Sequence, residues 1–361
     1  MNEQPDIIEE LNNLQSQVDN TKLPPLLEDR VNSMLRRLHR AVSSGFYSQE
    51  YESVSKYVEW ISSLPWYKRS QDILDLNYAK QVLDKTHYGL EEINARVLES
   101  IAVMQLKATQ LKSQDLSEEE VTAQLMRAPI LFFVGLVGTG KTTIAKSIAE
   151  AMGRPFVRIP FGGMGDASIL RGQSRIQPDA EVGQVLKSLR RVEVKNPVIL
   201  LDEIDRVSEQ VRGDIMGVLV ELLDPGQNNA FTDHYIDYPF DLSQALFIAT
   251  ANNTNNIATA VLDRMELIRM PSYTDDEKIH IGREYVLPKV IQDSGLNIDQ
   301  LTISDDTWPL IVRPLGFDSG IRTLERTING IGRKVARQIV EGQITALDLT
   351  TENIKPYLPT W

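Results

Sequence analysis

The segment Gly135-Leu-Val-Gly-Thr-Gly140-Lys141-Thr142 constrains this chain most, because it follows the apolar run Ile130–Val134 and opens a helical pattern. Its letters and context match the phosphate loop G-x-x-x-x-G-K-[ST]. Such a loop needs a buried strand before it and a helix after it. Its backbone N–H groups curl around phosphate oxygens, and the helix N-terminus adds partial positive charge. On this reading Gly135, Gly138, Thr139, Gly140 and Thr143 belong to the nucleotide cradle. Lys141 reaches the β- and γ-phosphates, and Thr142 places its hydroxyl on Mg²⁺.

About sixty residues on, Val198-Ile-Leu-Leu runs into Asp202-Glu203. Carboxylates at the C-terminal end of a buried strand lie where open α/β sheets bind ligands. Asp202 is expected to hold the Mg²⁺. Glu203 is expected to orient and deprotonate the attacking water. Phe247-Ile-Ala-Thr-Ala ends in Asn252, which is placed to hydrogen-bond the γ-phosphate or that water. The guanine-reading N-K-x-D tetrad is absent, which favours ATP, with ADP as product, over GTP.

Composition removes other classes of chemistry. The chain has 361 residues and no cysteine, so disulfides, thiolate metal sites and cysteine nucleophiles are excluded. Its four histidines show no ligand spacing. With 38 Lys+Arg against 50 Asp+Glu the net charge is −12, which makes nucleic acid an unexpected primary partner. No apolar run approaches the ~20 residues that span a bilayer. A soluble, cytoplasmic protein with no membrane association is the expectation.

Apolar residues recur at three- and four-residue steps through Ile7, Ile8, Leu11, Leu14 and Val18, then Leu27, Val31, Leu35 and Leu38, then Val54, Tyr57, Val58 and Ile61. These read as an N-terminal helical arm, punctuated by Pro24-Pro25, Ser43-Ser44-Gly45 and Pro65, with Tyr57, Trp60, Trp66 and Tyr67 available to seat it on a neighbouring domain. A helix over Leu90–Lys112 follows, then a short one capped by Ser117–Glu120. Strands are expected at Ile130–Val134, Phe156–Ile159, Val198–Leu201, Leu246–Thr250 and Glu266–Met270. Helices are expected at Lys141–Met152, Val182–Val192 and Asp214–Leu223. This alternation argues for an α/β parallel sheet covered on both faces, the P-loop NTPase architecture. The chain then turns helical through Asp275–Asp293, Ser304–Val312 and Gly320–Val340. The expected domains are an arm at 1–75, an α/β nucleotide-binding domain at 76–273 and a helical lid at 274–361.

Further stretches, in order along the chain, resemble the AAA+ ATPase portion of Lon proteases. They are Asp84-Lys-Thr-His-Tyr-Gly-Leu90, Phe156-Val-Arg-Ile, Gly162-Gly163, Lys195 to Asp205, Leu223-Asp-Pro-Gly-Gln-Asn-Asn, Phe231-Thr-Asp-His-Tyr235, Pro239-Phe-Asp-Leu-Ser243, Leu262-Asp-Arg-Met-Glu266 and Gly320-Ile-Arg-Thr-Leu-Glu-Arg326. The resemblance runs from about residue 50 onward. It implies that His87, Tyr88, Gly89 and Leu90 line an adenine pocket. It also implies that Arg264 is an arginine finger reaching a neighbouring subunit's nucleotide, and that Arg322 is the lid's sensor arginine acting in cis. A ring homo-oligomer, expected to be a hexamer, follows from a finger supplied in trans. So do unfolded or tagged protein substrates driven toward a peptidase domain.

Two departures qualify the resemblance. Lon-type sequences carry an aromatic–hydrophobic pair in the substrate-gripping loop. Here, within Arg171 to Gly183, Ile176 is the nearest apolar substitute, with no Phe, Trp or Tyr from Gly162 to Ala230. Leu136-Val137 replaces a pair of prolines in the phosphate loop. No G-P-S-A-G-like nucleophile segment occurs, so these residues by themselves are not expected to cut peptides by the Lon Ser–Lys dyad. An excised motor and a stand-alone relative are both compatible with that. The alternative function is a nucleotide-gated scaffold or switch that forms a ring and binds a partner without threading polypeptide.

Overall fold

The computed structural model describes residues 4–43, 50–112, 121, 124, 130–313 and 320–358. The segment Ser117–Glu120, expected to cap a short helix, lies outside the described residues. Three helices, α1 (Gln4–Asn20), α2 (Pro25–Ser43) and α3 (Glu50–Ser63), come first. Their periodic residues Leu11, Val18, Leu27, Val31, Leu35, Val54, Tyr57 and Ile61 are buried together. Then come α4 (Leu76–Thr86) and α5 (Glu91–Lys112).

The centre is a five-stranded sheet built from β1 (Ile130–Val134), β2 (Phe156–Pro160), β3 (Val198–Asp202), β6 (Leu246–Ala251) and β7 (Met265–Arg269). A hairpin of β4 (Phe231–Asp233) and β5 (Tyr238–Phe240) stands apart from it. The order is β2-β3-β6-β1-β7 and all pairings are parallel, as the alternation of strands and helices implies. Every residue of β1, β3 and β6 is buried. Side chains of alternate residues point to opposite faces. Phe132, Val134, Ile199, Leu201, Phe247 and Ala249 join the core that holds the arm. Leu131, Phe133, Val198, Leu200, Leu246 and Ile248 join the core shared with α4, α5 and the lid.

The helices α6 (Lys141–Ala151), α7 (Ser168–Arg171), α8 (Gln184–Val192), α9 (Arg212–Leu223) and α10 (Thr259–Leu262) complete this part. The lid holds α11 (Asp275–Ile281), α12 (Leu287–Asp293), α13 (Trp308–Val312) and α14 (Arg322–Val340), with the small parallel pair β8 (Leu301–Ile303) and β9 (Leu347–Leu349). The helical span expected over Asp275–Asp293 contains a π turn at Gly282–Val286. A Cβ on Gly282 would lie 2.5 Å from the ring of Trp308, which is fully buried, so the wide turn goes with an indole packed on bare backbone.

The arm is seated by the hairpin. The Tyr57 hydroxyl donates to the Ile236 carbonyl at 3.1 Å, and Arg30 donates to the Asp237 carbonyl at 2.8 Å. Trp66 lies 5.0 Å from the Phe240 ring and edge-on to Tyr238 at 5.9 Å, with its indole N–H on the Ile61 carbonyl. Trp60 sits under the Arg190 guanidinium, whereas Tyr67 pairs with Lys22 inside the arm. Beyond Trp66 the chain is fastened by buried Arg154. Its Nε and a terminal nitrogen grip the two oxygens of Asp72 at 2.8 and 2.6 Å.

Replacing Trp66 by Ala removes the aromatic bridge between arm and hairpin. The expected cost is ~3–5 kcal/mol of unfolding free energy, measured by denaturant titration. Earlier proteolytic cleavage between the arm and residue 130 should accompany it.

Candidate active site

Three adjacent strands, β3, β6 and β1, end on the same edge of the sheet and deliver the polar residues there. The turn after β1 has Gly138 at φ +85° and Gly140 at φ +90°, left-handed values that glycine adopts freely. Gly140 caps α6, so the first N–H groups of that helix point into the loop. Lys141 opens the helix and is buried. Its ammonium donates to the Gly135 and Leu136 carbonyls at 2.6 and 2.8 Å and to Asn252 Oδ1 at 3.2 Å. Burial pushes the Lys141 pKa below its ordinary value, while the carboxylates of Asp202, Asp205 and Glu203 push it back up.

Asp202 ends β3 with both oxygens engaged. Oδ1 accepts the hydroxyl of Thr250, one strand over, and Oδ2 accepts Arg158 Nε of β2 at 2.6 Å. Glu203 follows at φ +57°, an uncommon conformation for this residue that turns the chain off the strand. Its N–H donates to Thr250 Oγ1 at 3.0 Å, and its Oε2 lies 3.4 Å from Arg206. Asp205 accepts from the N–H and side-chain amide of Asn253, and its Oδ1 is buried without a protein partner.

The lid closes on the loop at bare backbone. A Cβ on Gly320 would lie 2.5 Å from Gly138, and the Ile321 N–H donates to the Gly138 carbonyl at 3.1 Å. Arg322, at the head of α14, thereby joins Val137, Gly138, Gly140, Lys141, Thr142, Thr143, Arg158, Asp202, Glu203 and Asn252 around a cavity of about 180 Å³. A second cavity of about 270 Å³ shares Gly140, Thr143, Ile321 and Glu325 with the first and continues to His87, Tyr88, Tyr273, Tyr285 and Lys289. Burial lifts the Tyr273 hydroxyl to about 12.

Hydrogen bonding determines which way His87 faces this second cavity. Thr86 Oγ1 donates its one proton to the Val82 carbonyl at 2.8 Å and receives Ser147 Oγ at 2.9 Å. His87 Nδ1, 2.8 Å from the same oxygen, is therefore the donor, which leaves Nε2 as a bare acceptor. That Nε2 is buried without a protein partner, and burial pushes the imidazole down to about 4.

Of the residues singled out from sequence, those of the phosphate loop, Asp202, Glu203, Asn252 and Arg322 converge. Gly135 and Thr139 support the loop from behind, Thr139 being fully buried with its hydroxyl on the Leu136 carbonyl. His87 and Tyr88 line the second cavity, and Tyr88 stacks 3.7 Å from His280. Gly89 and Leu90 line neither cavity. Gly89 faces Glu277, and Leu90 is buried in the lid-side core. Arg264 stands outside both cavities, donating to Asp224 Oδ2 at 2.8 Å and to the Ala260 carbonyl at 2.7 Å. Sequence reasoning assigns no role to Arg158, Thr250 or Tyr273. A charged residue within Val157-Arg-Ile159 and a threonine within a buried strand are the signals that point to the first two.

Residues 131–273 match the model of the ATPase family associated with various cellular activities (AAA), and residues 292–347 match the Lon protease AAA+ ATPase lid domain. The chain is 40% identical over 350 residues to Lon protease 2 of Thermus thermophilus, covering 97% of this chain and 43% of that protein. It is 41% identical to a Lon protease of Dictyoglomus thermophilum, covering 97% and 42%, and 43% identical to Lon protease homolog, mitochondrial 1 of Dictyostelium discoideum, covering 86% and 31%. This chain belongs to the Lon-type AAA+ ATPases. The chain spans about four-tenths of the length of the Thermus and Dictyoglomus proteins. With the family comes a nucleotide-binding ATPase, on the parallel sheet described above. Among the described residues no helix is long and apolar enough to cross a membrane.

The His87 environment has a pH signature. The folded protein keeps His87 neutral down to about 4, while the unfolded imidazole protonates near its ordinary value of 6.5. The unfolded chain therefore binds more protons between those values, and stability falls as pH drops through that window. Urea titrations of wild type against His87→Phe should show this component, worth roughly 3 kcal/mol at the acid end, missing from the variant.

Proposed function

We propose that this chain is the ATP-hydrolysing motor of a Lon-type assembly, in which ring-forming copies drive protein substrates toward a peptidase. The observation that carries this reading is the convergence of Lys141, Asp202, Glu203 and Asn252, from neighbouring strand ends, on one cavity with Arg322 of the lid. We divide the chain functionally into an arm at 1–75, a nucleotide-binding domain at 76–273 and a lid at 274–361. We assign it to the cytoplasm, although one relative is named mitochondrial.

Within the cavity the backbone of Gly138 and Gly140 and the ammonium of Lys141 hold the β- and γ-phosphates. Thr142 and Asp202 supply a hydroxyl and a carboxylate for Mg²⁺. Among the described residues no group of three or more His, Asp or Glu suits an ion, which fits a cation held mainly by phosphate and water. Mg²⁺ held there would supply positive charge that offsets the charge of the phosphates. Glu203 takes a proton from the water that attacks the γ-phosphorus as the bond to the ADP oxygen breaks. Asn252 and Arg322 steady the γ-phosphate. His87 Nε2, an acceptor, suits the exocyclic amino group of adenine and disfavours guanine, whose equivalent position carries an oxygen. Arg264, outside its own chain's cavity, serves as the finger toward a neighbour in a homo-hexameric ring.

The scaffold reading draws on the loop from Gly172 to Gly183, which exposes 94% of Ile176 and has no aromatic residue. A tagged, folded substrate distinguishes the two functions: a motor unfolds it, and a scaffold hydrolyses ATP slowly and leaves it folded.

Glu203→Gln should lower steady-state ATP turnover by about 10²–10⁴ while leaving ATP binding intact, and equal turnover in variant and wild type overturns the assignment. Arg264→Ala should lower turnover by ~10³–10⁵, again with binding retained. Loss of binding in that variant would instead mark Arg264 as a structural partner of Asp224.

A further inference from the structure

Arg158 lies on β2, the edge strand of the sheet, and reaches forward to the end of β3, where Asp202 pairs with Pro160 in register. Two of its nitrogens, Nε and a terminal one, each lie 2.6 Å from the same oxygen, Asp202 Oδ2. The Asp202 side chain is only 4% exposed and that of Arg158 is 52% exposed, so the guanidinium caps a buried carboxylate from the solvent side. The other oxygen, Oδ1, is occupied by the Thr250 hydroxyl. Both Arg158 and Asp202 line the phosphate cavity. A cation approaching Asp202 from that cavity therefore meets an oxygen already bonded twice to a fixed positive charge.

We propose that Arg158 is a positioning residue that competes with Mg²⁺ for Asp202 Oδ2 and so sets the Mg²⁺ concentration at which metal and nucleotide engage together. The inference rests on the reading of Asp202 as the metal-side carboxylate. Charge-assisted hydrogen bonds to a buried carboxylate are strong, and the guanidinium also repels a dication at short range. Arg158 thus keeps Asp202 neutralised and pointed at the cavity, and gives way to a stronger cation. The rest of its surroundings agree: the neighbouring acids Glu203 and Asp205 have partners of their own in Arg206 and Asn253.

The test is binding of a fluorescent, non-hydrolysable ATP analogue to the full chain, titrated with Mg²⁺ and repeated in EDTA. Arg158→Ala should lower the Mg²⁺ midpoint about tenfold, equivalent to ~1.4 kcal/mol, with affinity in EDTA unchanged. Arg158→Lys, a cation without the fork, should fall between. A midpoint that stays put or rises overturns the proposal. So does a parallel loss of affinity in EDTA, which would make Arg158 a phosphate ligand. Asp202→Asn separates the two readings. If it raises the midpoint while Arg158→Ala does nothing, only the present inference fails. If Asp202→Asn leaves the midpoint unmoved, the metal-side reading of Asp202 falls and this inference with it. Because Arg158 is half exposed, truncation opens no core cavity, and Arg158→Gln replaces Arg158→Ala should the alanine variant fail to fold.

Discussion

A parallel sheet buried on both faces leaves its polar chemistry only the strand ends. In this protein that constraint determines nearly everything about the site. β1, β3 and β6 have no exposed residue, so none of them can place a charge along its length at acceptable cost. Asp202 at the last position of β3 is the first place where a carboxylate can be paired, and it is paired on both oxygens. Asn252 follows β6 at once and meets Lys141, which follows β1 by one loop. Since β6 lies between β3 and β1, the cation and the acids face one another across a single strand. Lys141 tolerates burial because the carbonyls of its own loop surround it.

The lid depends on the same edge. Its contact with the phosphate loop is made where two glycines pass, and no side chain would fit between Gly138 and Gly320. That close approach brings the head of α14, with Arg322, into the cavity wall. On the other side the buried Tyr273 and the capping box of Thr274 with Glu277 start α11 beside Gly89. The two cavities are therefore halves of one groove, the first lined by strand ends, phosphate loop and lid, the second by the end of α4, the start of α6 and the lid.

Much of this was legible from local pattern. The five central strands lie within one residue of their expected ends, because continuous apolar runs between glycine-rich turns have few other uses in a chain of this kind. The phosphate loop, Asp202 and Asn252 were legible because each closes such a run. What stayed hidden depends on long-range pairing. Arg158 and Asp202 are 44 residues apart, and nothing near either one names the other. Tyr88 meets His280 only because the lid folds back. Leu90 belongs to a motif implied to face adenine, yet just before α5 begins it is buried in the core. The three-residue strands β4, β5, β8 and β9 are too short for periodicity to reveal.

The strained conformation of Glu203 links the site to the exposed loop beyond β2. A Cβ on Gly162 would lie 3.3 Å from Glu203 Oε2, so the carboxylate rests against bare backbone at the point where β2 leaves the sheet. From there the chain runs through α7 to the loop with Ile176 at its tip. That loop is clamped at both ends by one buried carboxylate. Asp233 accepts the Gly183 N–H at 2.7 Å and sits where a Cβ on Gly172 would clash at 2.6 Å. Asp233 belongs to the hairpin that also seats the arm through Tyr57 and Trp66. A displacement of Glu203 or Gly162 therefore meets a loop fixed at its base by Asp233 and held near its tip by Arg175, whose guanidinium lies 3.8 Å over the Tyr57 ring of the arm. Ile176 is nonetheless almost wholly exposed, so the loop presents an apolar side chain to solvent while Arg175 beside it stays on the arm.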